Sequence, residues 1–513
     1  MSADDSERPR KTLTLARRPD DAARRQEADK RKRAGGRARH VAQQEKQRDK
    51  AARLDTAPAP PAAGPGDPPA RDKRDERRSS RSGPARPHRS DTASAPSPAN
   101  NEDANARFAQ RPERAPRRAR GSASRDGERF QVFAPCPQGL EEALTVELRA
   151  LGYDDARAGR AGAHFSADWA GVQRANLYSR LATRILVQVA QAPVQTEDDL
   201  LDLAYATPWE RWFGAERTLR VDTSAIKSPM RSLQYCNLRV KDGICDRLMD
   251  REGARPDIDT VRPDARVHAF LTVDTATLYL DTSGESLFKR GWRLDKGEAP
   301  LRENLAAGML ALADWDPGAP LLDPFCGSGT ILIEAAWIAL GVPPGIARPF
   351  SFERLRDHDA RRWQDIKEDA RAHIAPRLET PLFGYDIDPQ AIEHARRNAE
   401  RAWLTEDAIR FEVGDARTLA APADTGWIVT NPPYGERLQS GHDESLWRDW
   451  AACLKRNFAG WQVHAISSDM TLPQQMRLKP LRRIPLHNGP LDCRLFGFEL
   501  VSASYRDKRS PAS

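Results

Sequence analysis

Alternating apolar and polar positions begin at Phe130 and predict a small α+β region that runs to about residue 285. The first few residues alternate as a strand does, and the segment 136–152 places its leucines on one face of a helix. Gly152 is expected to close that helix, because glycine readily adopts the left-handed backbone found at helix ends. Further strand patterns follow, with a second helix expected over 169–182.

The pattern changes at about residue 300, where apolar strands alternate with helical runs. The strands are represented by LLDPF, LFGYD, IRFEV and WIVTN, with helical stretches between them. This alternation predicts an α/β fold, in which helices cover both faces of a parallel or mostly parallel sheet; the family resemblance given below makes that fold Rossmann-like. The stretch of about 341–380, between the first two of these strands, is interpreted as an insertion.

The N-terminal quarter of the chain has a different composition. Residues 1–128 contain few large apolar residues, so they are predicted to form a disordered tail. This tail holds 32 Lys and Arg against 20 Asp and Glu, whereas the remaining residues hold 49 against 54 and are mildly acidic. Two interpretations stay open for it: electrostatic attraction to a polyanion such as RNA, or a solubilising tail with no specific partner.

The rest of the composition narrows the cellular setting. No apolar run reaches the roughly 18–20 residues that span a membrane, and the first residues lack the apolar core of a secretory signal. The six cysteines form no CxxC pair and no Cys/His cluster, so neither a disulfide framework nor a metal site is expected. A cytoplasmic protein is therefore expected.

The stretch 321–330, LLDPFCGSGT, ends a strand, turns through small residues and begins a helix. Gly327 and Gly329 allow close approach of a ligand to the backbone, and helix N–H groups point into the gap. Nucleotides bind at such turns in doubly wound sheets, although a tight turn without a ligand has the same glycines. No Lys follows as in a Walker loop, and the dinucleotide fingerprint is incomplete. The expected ligand is a nucleoside-type cofactor without a pyrophosphate.

Two further aspartates are candidate cofactor ligands. Asp386 ends an apolar strand, where a carboxylate can accept hydrogen bonds from two ribose hydroxyls. Asp388 is better explained as a helix N-cap, with Pro389 at the first helical position. Asp415 follows the next strand and could accept from the amine of an adenine, but a turn aspartate that caps the next segment gives the same pattern.

The stretch 428–435, IVTNPPYG, carries the most specific chemistry. Pro432 and Pro433 fix a rigid turn, which leaves the Asn431 side chain and the Pro432 carbonyl as acceptors. Tyr434 offers a ring on which a base can stack. Two acceptors and a stacking face suit the exocyclic amine of a flipped base, whose attacking, pyramidal form they would stabilise. A proline-rich loop after a strand is the alternative.

These motifs, in this order, resemble class I methyltransferases that use S-adenosylmethionine and act on exocyclic amines. Segments such as FAPCPQGLEEALTVELRALG, SLQYCNLRVKDGICD, LYLDTSGESLFKRGWR and NGPLDC are similar to the RlmL-type 23S rRNA guanine-N2 methyltransferases. The resemblance covers about 130–505. It implies a ferredoxin-like segment at 129–174, a THUMP RNA-binding domain at 175–285, a methyltransferase domain at 286–505 and a tail at 506–513. The long basic tail has no counterpart in the common family plan. The second methyltransferase domain of some relatives is not found, which implies a single activity.

The resemblance also assigns roles to individual residues. Guanine would be held by Asn431, Pro432 and Tyr434. Separately, Arg290, Arg293 and Arg302 lie in the linker between the two halves and are expected to meet RNA phosphate, with Lys241 a similar candidate on the THUMP side; surface solvation is the alternative. The methionine end of the cofactor would be lined by Asp323, Cys326, Gly327, Gly329 and Thr330, its ribose held by Asp386 and its adenine by Asp415.

The implied reaction is an in-line attack of guanine N2 on the sulfonium methyl, driven by proximity and amine polarisation without a metal or an assigned general base. Three alternatives stay open. They are a tRNA guanine-N2 methyltransferase, a DNA adenine or cytosine amino-methylase that uses the same turn, and a non-catalytic RNA-binding assembly factor. A dehydrogenase fits least, because its fingerprint is incomplete.

Overall fold

The first half of the folded chain is an α+β layer built on one mixed sheet. A computed structural model describes residues 127–295, 301–433 and 443–501. The predicted tail of residues 1–128 lies outside the described residues except for its last two, as do Tyr434 and the segment 506–513. In the described part, the first sheet has seven strands: β1 (Phe130–Pro135), β2 (Arg157–Gly159), β3 (Gly162–Ala167), β4 (Leu186–Pro193), β5 (Leu219–Ala225), β6 (Ala265–Leu271) and β7 (Thr275–Asp281).

The strand order of this sheet is β2-β3-β1-β4-β7-β6-β5, and every pair is antiparallel except β5 with β6. Its helices are α1 (Glu141–Ala150), α2 (Trp169–Tyr178), α3 (Glu197–Ala206) and α4 (Leu233–Glu252). The helix expected over 169–182 ends four residues early, because Ser179 turns to an extended backbone with φ −69° and ψ 120°. Gly152 follows α1 with φ 93°, the left-handed conformation expected there.

The second half is the Rossmann-like α/β sheet that the strand–helix alternation predicts. Its strands are β8 (Leu321–Asp323), β9 (Leu382–Asp386), β10 (Ile409–Val413), β11 (Gly426–Thr430), β12 (Trp461–Ser467), β13 (Arg482–Asn488) and β14 (Leu491–Glu499). The order is β10-β9-β8-β11-β12-β14-β13, with the first five parallel and β14 antiparallel to both of its neighbours. Strand β13, at the sheet edge, was not predicted from the sequence.

Helices flank this sheet and its edges. They are α5 (Glu303–Leu312), α6 (Thr330–Ala339), α7 (Ala360–Ala372), α8 (Pro389–Arg401), α9 (Asp443–Asn457) and the single turn α10 (Leu472–Gln475). The strand order reverses at β8, because the chain builds outward through β9 and β10 on one side and through β11 and β12 on the other. Ligands of open α/β sheets bind in the crevice outside the carboxyl ends of the strands at such a reversal.

The insertion between α6 and β9 connects the two halves. Its backbone bonds directly to the first half, with Gly345 N donating to the Leu177 carbonyl at 3.0 Å and Phe352 N to the Thr282 carbonyl at 3.1 Å. One continuous hydrophobic cluster accordingly runs from Phe130 to Leu495 and includes side chains of both sheets. The α+β half and the α/β half therefore share a core.

Candidate active site

The crevice at the strand reversal is flanked by the ends of β8 and β11, which a hydrogen bond joins. Asp323, the last residue of β8, is 2% exposed, and its Oδ1 accepts from Thr430 Oγ1 at 2.6 Å. The Phe325 backbone N–H donates to the same oxygen at 3.2 Å. Burial raises the pKa of Asp323 to about 7, and the nearby Asp386 charge adds to this effect. This carboxyl group thus fixes the end of β11, where the Asn-Pro-Pro turn begins.

The glycine turn after β8 has the backbone geometry that its sequence predicts. Gly327 has φ 53° and Gly329, which precedes α6, has φ 80°. A Cβ added at Gly327 would meet nothing within 4 Å, so the backbone there borders open space. At Gly329 it would lie 2.9 Å from Phe411 Cζ, so that glycine is required by packing against β10. Cys326 beside them is buried, which raises the pKa of its thiol.

Asp386, at the end of β9, connects the glycine turn to the next helix. Its Oδ2 accepts from Gly327 N at 2.9 Å and its Oδ1 from Asp388 N at 3.0 Å. Each oxygen keeps a further lone pair for a ligand hydroxyl. Burial raises the pKa of this carboxyl group despite the two bonds. Asp388 caps α8, with Gln390 N donating to its Oδ1 at 2.9 Å, as expected.

Asp415 lies two residues after β10, and its carboxylate already has a partner. The Arg417 Nε lies 2.9 Å from both carboxylate oxygens, and Arg417 N donates to Oδ1 at 2.9 Å. The guanidinium holds the pKa of Asp415 below its ordinary value. The contacts of Asp415 therefore match the interpretation of it as a turn aspartate. The ends of β9 and β10 are also joined here, because Gly414 N donates to the Asp386 carbonyl at 3.0 Å.

Asn431 has the most informative environment in the crevice. It directly follows β11, and its Oδ1 is buried without a hydrogen-bond donor among the described residues. Buried acceptors are usually paired in native structures, so this free acceptor at the strand reversal is a candidate contact for a ligand donor. Pro432 is buried and Pro433 is half-buried beside it. Tyr434, the predicted stacking ring, lies outside the described residues.

Sequence reasoning missed two residues of this site. Thr430 is 0% exposed and bonds Asp323, as described above; its position directly before Asn431 was the available signal. Ile387 is 67% exposed beside Asp386, where an apolar side chain can cover the flat face of a base. Its place inside the GYDID stretch could have identified it.

The linker arginines have different environments. Arg290 is 1% exposed and its guanidinium pairs with Glu334, with Nε 3.1 Å from Oε1. The prediction that Arg290 meets RNA phosphate is wrong, because the side chain has no access to solvent. The Arg293 side chain is 7% exposed, pairs with Glu303 at 3.1 Å and donates to Thr330 Oγ1 at 2.7 Å. Its guanidinium is thus largely engaged within the protein, and its contact with RNA phosphate stays a prediction.

The other two predicted RNA ligands are accessible. Arg302 is exposed before α5, with its guanidinium 5.1 Å from the centre of the Phe288 ring. Lys241 is half-buried on α4 and pairs with the neighbouring Asp242. Both roles stay predictions. Across the described ranges, no three His, Cys, Asp or Glu side chains are grouped to bind a metal. None of the helices in these ranges has the length and apolar character needed to cross a bilayer.

The fold and the crevice together define a methyltransferase-type α/β domain that follows an α+β half. Three family models match the chain: an RlmL ferredoxin-like domain at residues 131–186, a THUMP domain at 194–281 and an RMKL-like methyltransferase domain at 290–496. The chain belongs to the family of methyltransferases that join these three domains.

Individual relatives agree with this assignment. The ribosomal RNA large subunit methyltransferase K/L of Shewanella baltica (strain OS195) is 38% identical over 383 residues, which are 74% of this chain and 54% of the relative. The chain thus spans about half the length of the curated relatives it matches.

Two solved structures have the same fold. SMU.472, solved in complex with S-adenosylhomocysteine, is 28% identical with a TM-score of 0.67, covering 73% of this chain and 98% of that one. A protein of Listeria monocytogenes str. 4b F2365, named as a predicted N6-adenine-specific DNA methylase, is 30% identical with a TM-score of 0.67. That match covers 73% of this chain and 97% of the Listeria protein.

Proposed function

We propose that this protein transfers a methyl group from S-adenosylmethionine to the exocyclic N2 of a guanine in 23S rRNA. The observation that carries the proposal is the buried, unpaired Oδ1 of Asn431 at the strand reversal. Support comes from the ribosomal RNA large subunit methyltransferase relatives, from the THUMP match and from the structural relative solved with S-adenosylhomocysteine. The proposal includes a cytoplasmic location, because the proposed substrate is ribosomal RNA.

The crevice fits the proposed cofactor. Open space borders Gly327, and the Asp386 carboxylate has free lone pairs for two ribose hydroxyls. S-adenosylmethionine supplies an electrophilic methyl group on a cationic sulfur. Residues proposed to hold it are Asp323, Cys326, Gly327, Gly329 and Thr330 at the methionine end, Asp386 at the ribose and Asp415 at the adenine.

The substrate side of the crevice would polarise the guanine amine. Asn431 Oδ1 and the Pro432 carbonyl would accept its two hydrogens, and Tyr434 would stack on the base. The Thr430–Asp323 bond holds the chain directly before Asn431, which would restrict where its oxygen can lie before substrate arrives. The proton released after methyl transfer goes to water, and no side chain is assigned as a base. Lys241 and Arg302 are proposed to contact RNA phosphate.

The test is methyl transfer from labelled cofactor to 23S rRNA, tRNA and duplex DNA, with N2-methylguanine mapped in the product. We expect labelling of 23S rRNA, and we expect Asn431→Ala to lower kcat by about 10²–10³-fold with little change in cofactor affinity, as for loss of one preorganised polar group. Asn488→Ala, a substitution of an asparagine in β13, is the control and should keep full activity. An unchanged kcat in Asn431→Ala would contradict the mechanism.

A DNA amino-methylase is the second candidate, because the same acceptor turn suits adenine and the Listeria relative carries that name. The α+β half with its THUMP match favours RNA instead. Methylation of duplex DNA at adenine N6, with no label in rRNA, would establish the second candidate. Methylation of tRNA guanine would preserve the chemistry and change the substrate.

A further inference from the structure

A cationic pocket lies outside the candidate active site, where three segments of the chain meet. It has a volume of about 340 Å³ and is lined by the start of β6 (261–266), the turn after β7 (283–289) and the insertion (349–354), with Arg184 at one wall. None of the site residues described above lines it. The first two segments belong to the α+β half and the linker, and the third belongs to the α/β half.

The lining carries more positive than negative charge. Five basic and two acidic side chains line the pocket. The basic ones are Arg184, Arg262, Arg266, Lys289 and Arg354, and the acidic ones are Asp264 and Glu285. Both carboxylates already have partners, with Asp264 3.4 Å from Arg354 and Glu285 3.3 Å from Lys289. Arg184 is neutralised from behind by the buried Asp281 at 2.5 Å. Arg262 and Arg266 therefore supply the excess charge.

Arg266 lacks a full set of acceptors. Its side chain is 15% exposed, and its Nε is buried without a hydrogen-bond partner among the described residues. The nearest carboxylate oxygen, Asp222 Oδ2, is 3.6 Å away, and Asp222 also pairs with Arg220 at 2.7 Å. A buried guanidinium donor in this state is stabilised when a ligand brings an acceptor.

The remaining lining selects the kind of anion. The planar fork of an arginine matches phosphate bidentately, and two arginines with unfilled donors suit a phosphodiester better than an isolated carboxylate. Val261, 79% exposed, and the ring of Pro263 add apolar surface next to the cations. Charged and apolar surfaces side by side match one nucleotide unit, with its phosphate on the arginines and its sugar or base on the apolar wall.

The position of the pocket favours an RNA strand over a free nucleotide. The turn 283–289 continues into the linker, where Arg290 and Arg293 bind Glu334 and Thr330 of α6, the helix that follows the glycine turn. We propose that the pocket binds one phosphate of the substrate RNA, away from the target base. This inference rests on the proposed function in that it takes the substrate to be RNA.

The test measures binding of a short labelled single-stranded RNA to the full chain over a series of salt concentrations. Arg262→Ala is the informative variant, because the side chain is exposed and lines the pocket. We expect it to weaken RNA binding about fivefold and to lower the slope of log Kd against log salt by about 0.7, the contribution of one phosphate contact on a single strand. Arg456→Ala, which removes an exposed charge on α9, should leave both values unchanged.

A second pair of variants tests the buried arginine. Arg266→Met should weaken RNA binding more than Arg266→Lys, because Lys keeps the charge and loses only the bidentate fork. Inorganic phosphate should compete with RNA for the wild type and compete less for Arg266→Met. If Arg262→Ala and Arg266→Met both keep the wild-type RNA affinity and salt slope, the proposal that the pocket binds RNA is refuted. Loss of phosphate or free-nucleotide binding with unchanged RNA affinity would overturn RNA as its occupant.

Calorimetric titration of S-adenosylhomocysteine and the methyl-transfer assay separate this inference from the proposed function. Wild-type cofactor affinity in the pocket variants, together with weaker RNA binding, supports the pocket. If RNA binding depends on the pocket but the protein neither binds cofactor nor methylates RNA, the pocket proposal is supported and the proposed function is refuted. If the protein methylates rRNA but its RNA affinity does not depend on Arg262 or Arg266, the proposed function is supported and the pocket proposal is refuted.

Discussion

At the scale of single residues, the crevice combines a protonatable carboxyl group with an unsatisfied amide. Asp323 shares its Oδ1 between Thr430 Oγ1 and the Phe325 N–H, while Asn431 one residue further along has a free acceptor. The bonds of Asp323 thus hold the chain directly before Asn431, whose oxygen is proposed to contact the substrate amine. Fixing a polar group before the substrate binds lowers the reorganisation needed in the transition state.

The raised pKa of Asp323 predicts a pH-dependent stability. The ordinary pKa is 3.8 and burial raises it to about 7, so between these values the folded chain keeps a proton that the unfolded chain releases. This stabilisation is complete below about pH 3.8 and is lost as the pH rises through 7, with a slope of at most about 1.4 kcal/mol per pH unit. Asp323→Asn, which keeps the acceptor for Thr430, should remove that slope. Urea unfolding of both proteins at several pH values measures the difference, and parallel curves would contradict the assignment.

At the scale of secondary structure elements, a buried ion cluster fastens the linker to α6. Glu334 on α6 is fully buried between Arg290 and Arg180, at 3.1 Å and 3.7 Å. Arg290 also donates to the Leu287 and Arg180 carbonyls, both at 2.7 Å. The linker after β7 and helix α6 are therefore held together by buried charged side chains.

Removing one partner of this cluster should destabilise the protein strongly. Glu334→Gln leaves the Arg290 charge buried without a counter-ion, so we expect the free energy of unfolding to fall by about 3–5 kcal/mol. Glu393→Gln is the matched control, because its pair with Arg397 is exposed and contributes less than about 1 kcal/mol. Urea denaturation compares the two variants. Equal losses would show that burial does not determine the strength of the Arg290–Glu334 pair.

Elements that repeat a local pattern could be predicted from the sequence, and those set by distant contacts could not. The strand ends at Asp386 and Thr430 follow from short apolar runs that stop at polar residues. The linker arginines looked like surface charges, because nothing in their own stretch identifies Glu334 as a partner 44 residues away. The edge strand β13 likewise forms by pairing with β14, and its mixed polar sequence carries no strand pattern of its own.

At the scale of the whole molecule, the two halves pack as one body at the surface where α1 meets α5. Leu140, before α1, is fully buried, and a Cβ added at Gly308 of α5 would lie 2.4 Å from Leu140 Cδ1. A Cβ at Gly139 would also lie 2.2 Å from the Pro485 carbonyl oxygen of β13. The backbone of β13 therefore leaves no room for a side chain at Gly139, and the Leu140 side chain fills the space beside Gly308. The α+β half is therefore packed directly against the α/β half.

A shared core predicts that both halves unfold together. Leu140→Ala removes a fully buried side chain at the junction, so we expect a loss of about 2–5 kcal/mol in the free energy of unfolding. Because one cluster joins both sheets, the loss should appear equally in peptides from β1 and from β11 when hydrogen exchange is followed by mass spectrometry. Leu238→Ala, at a position 48% exposed on α4, should change exchange in neither sheet. Faster exchange confined to β1 peptides would mean that the α+β half unfolds by itself, which would contradict the shared core.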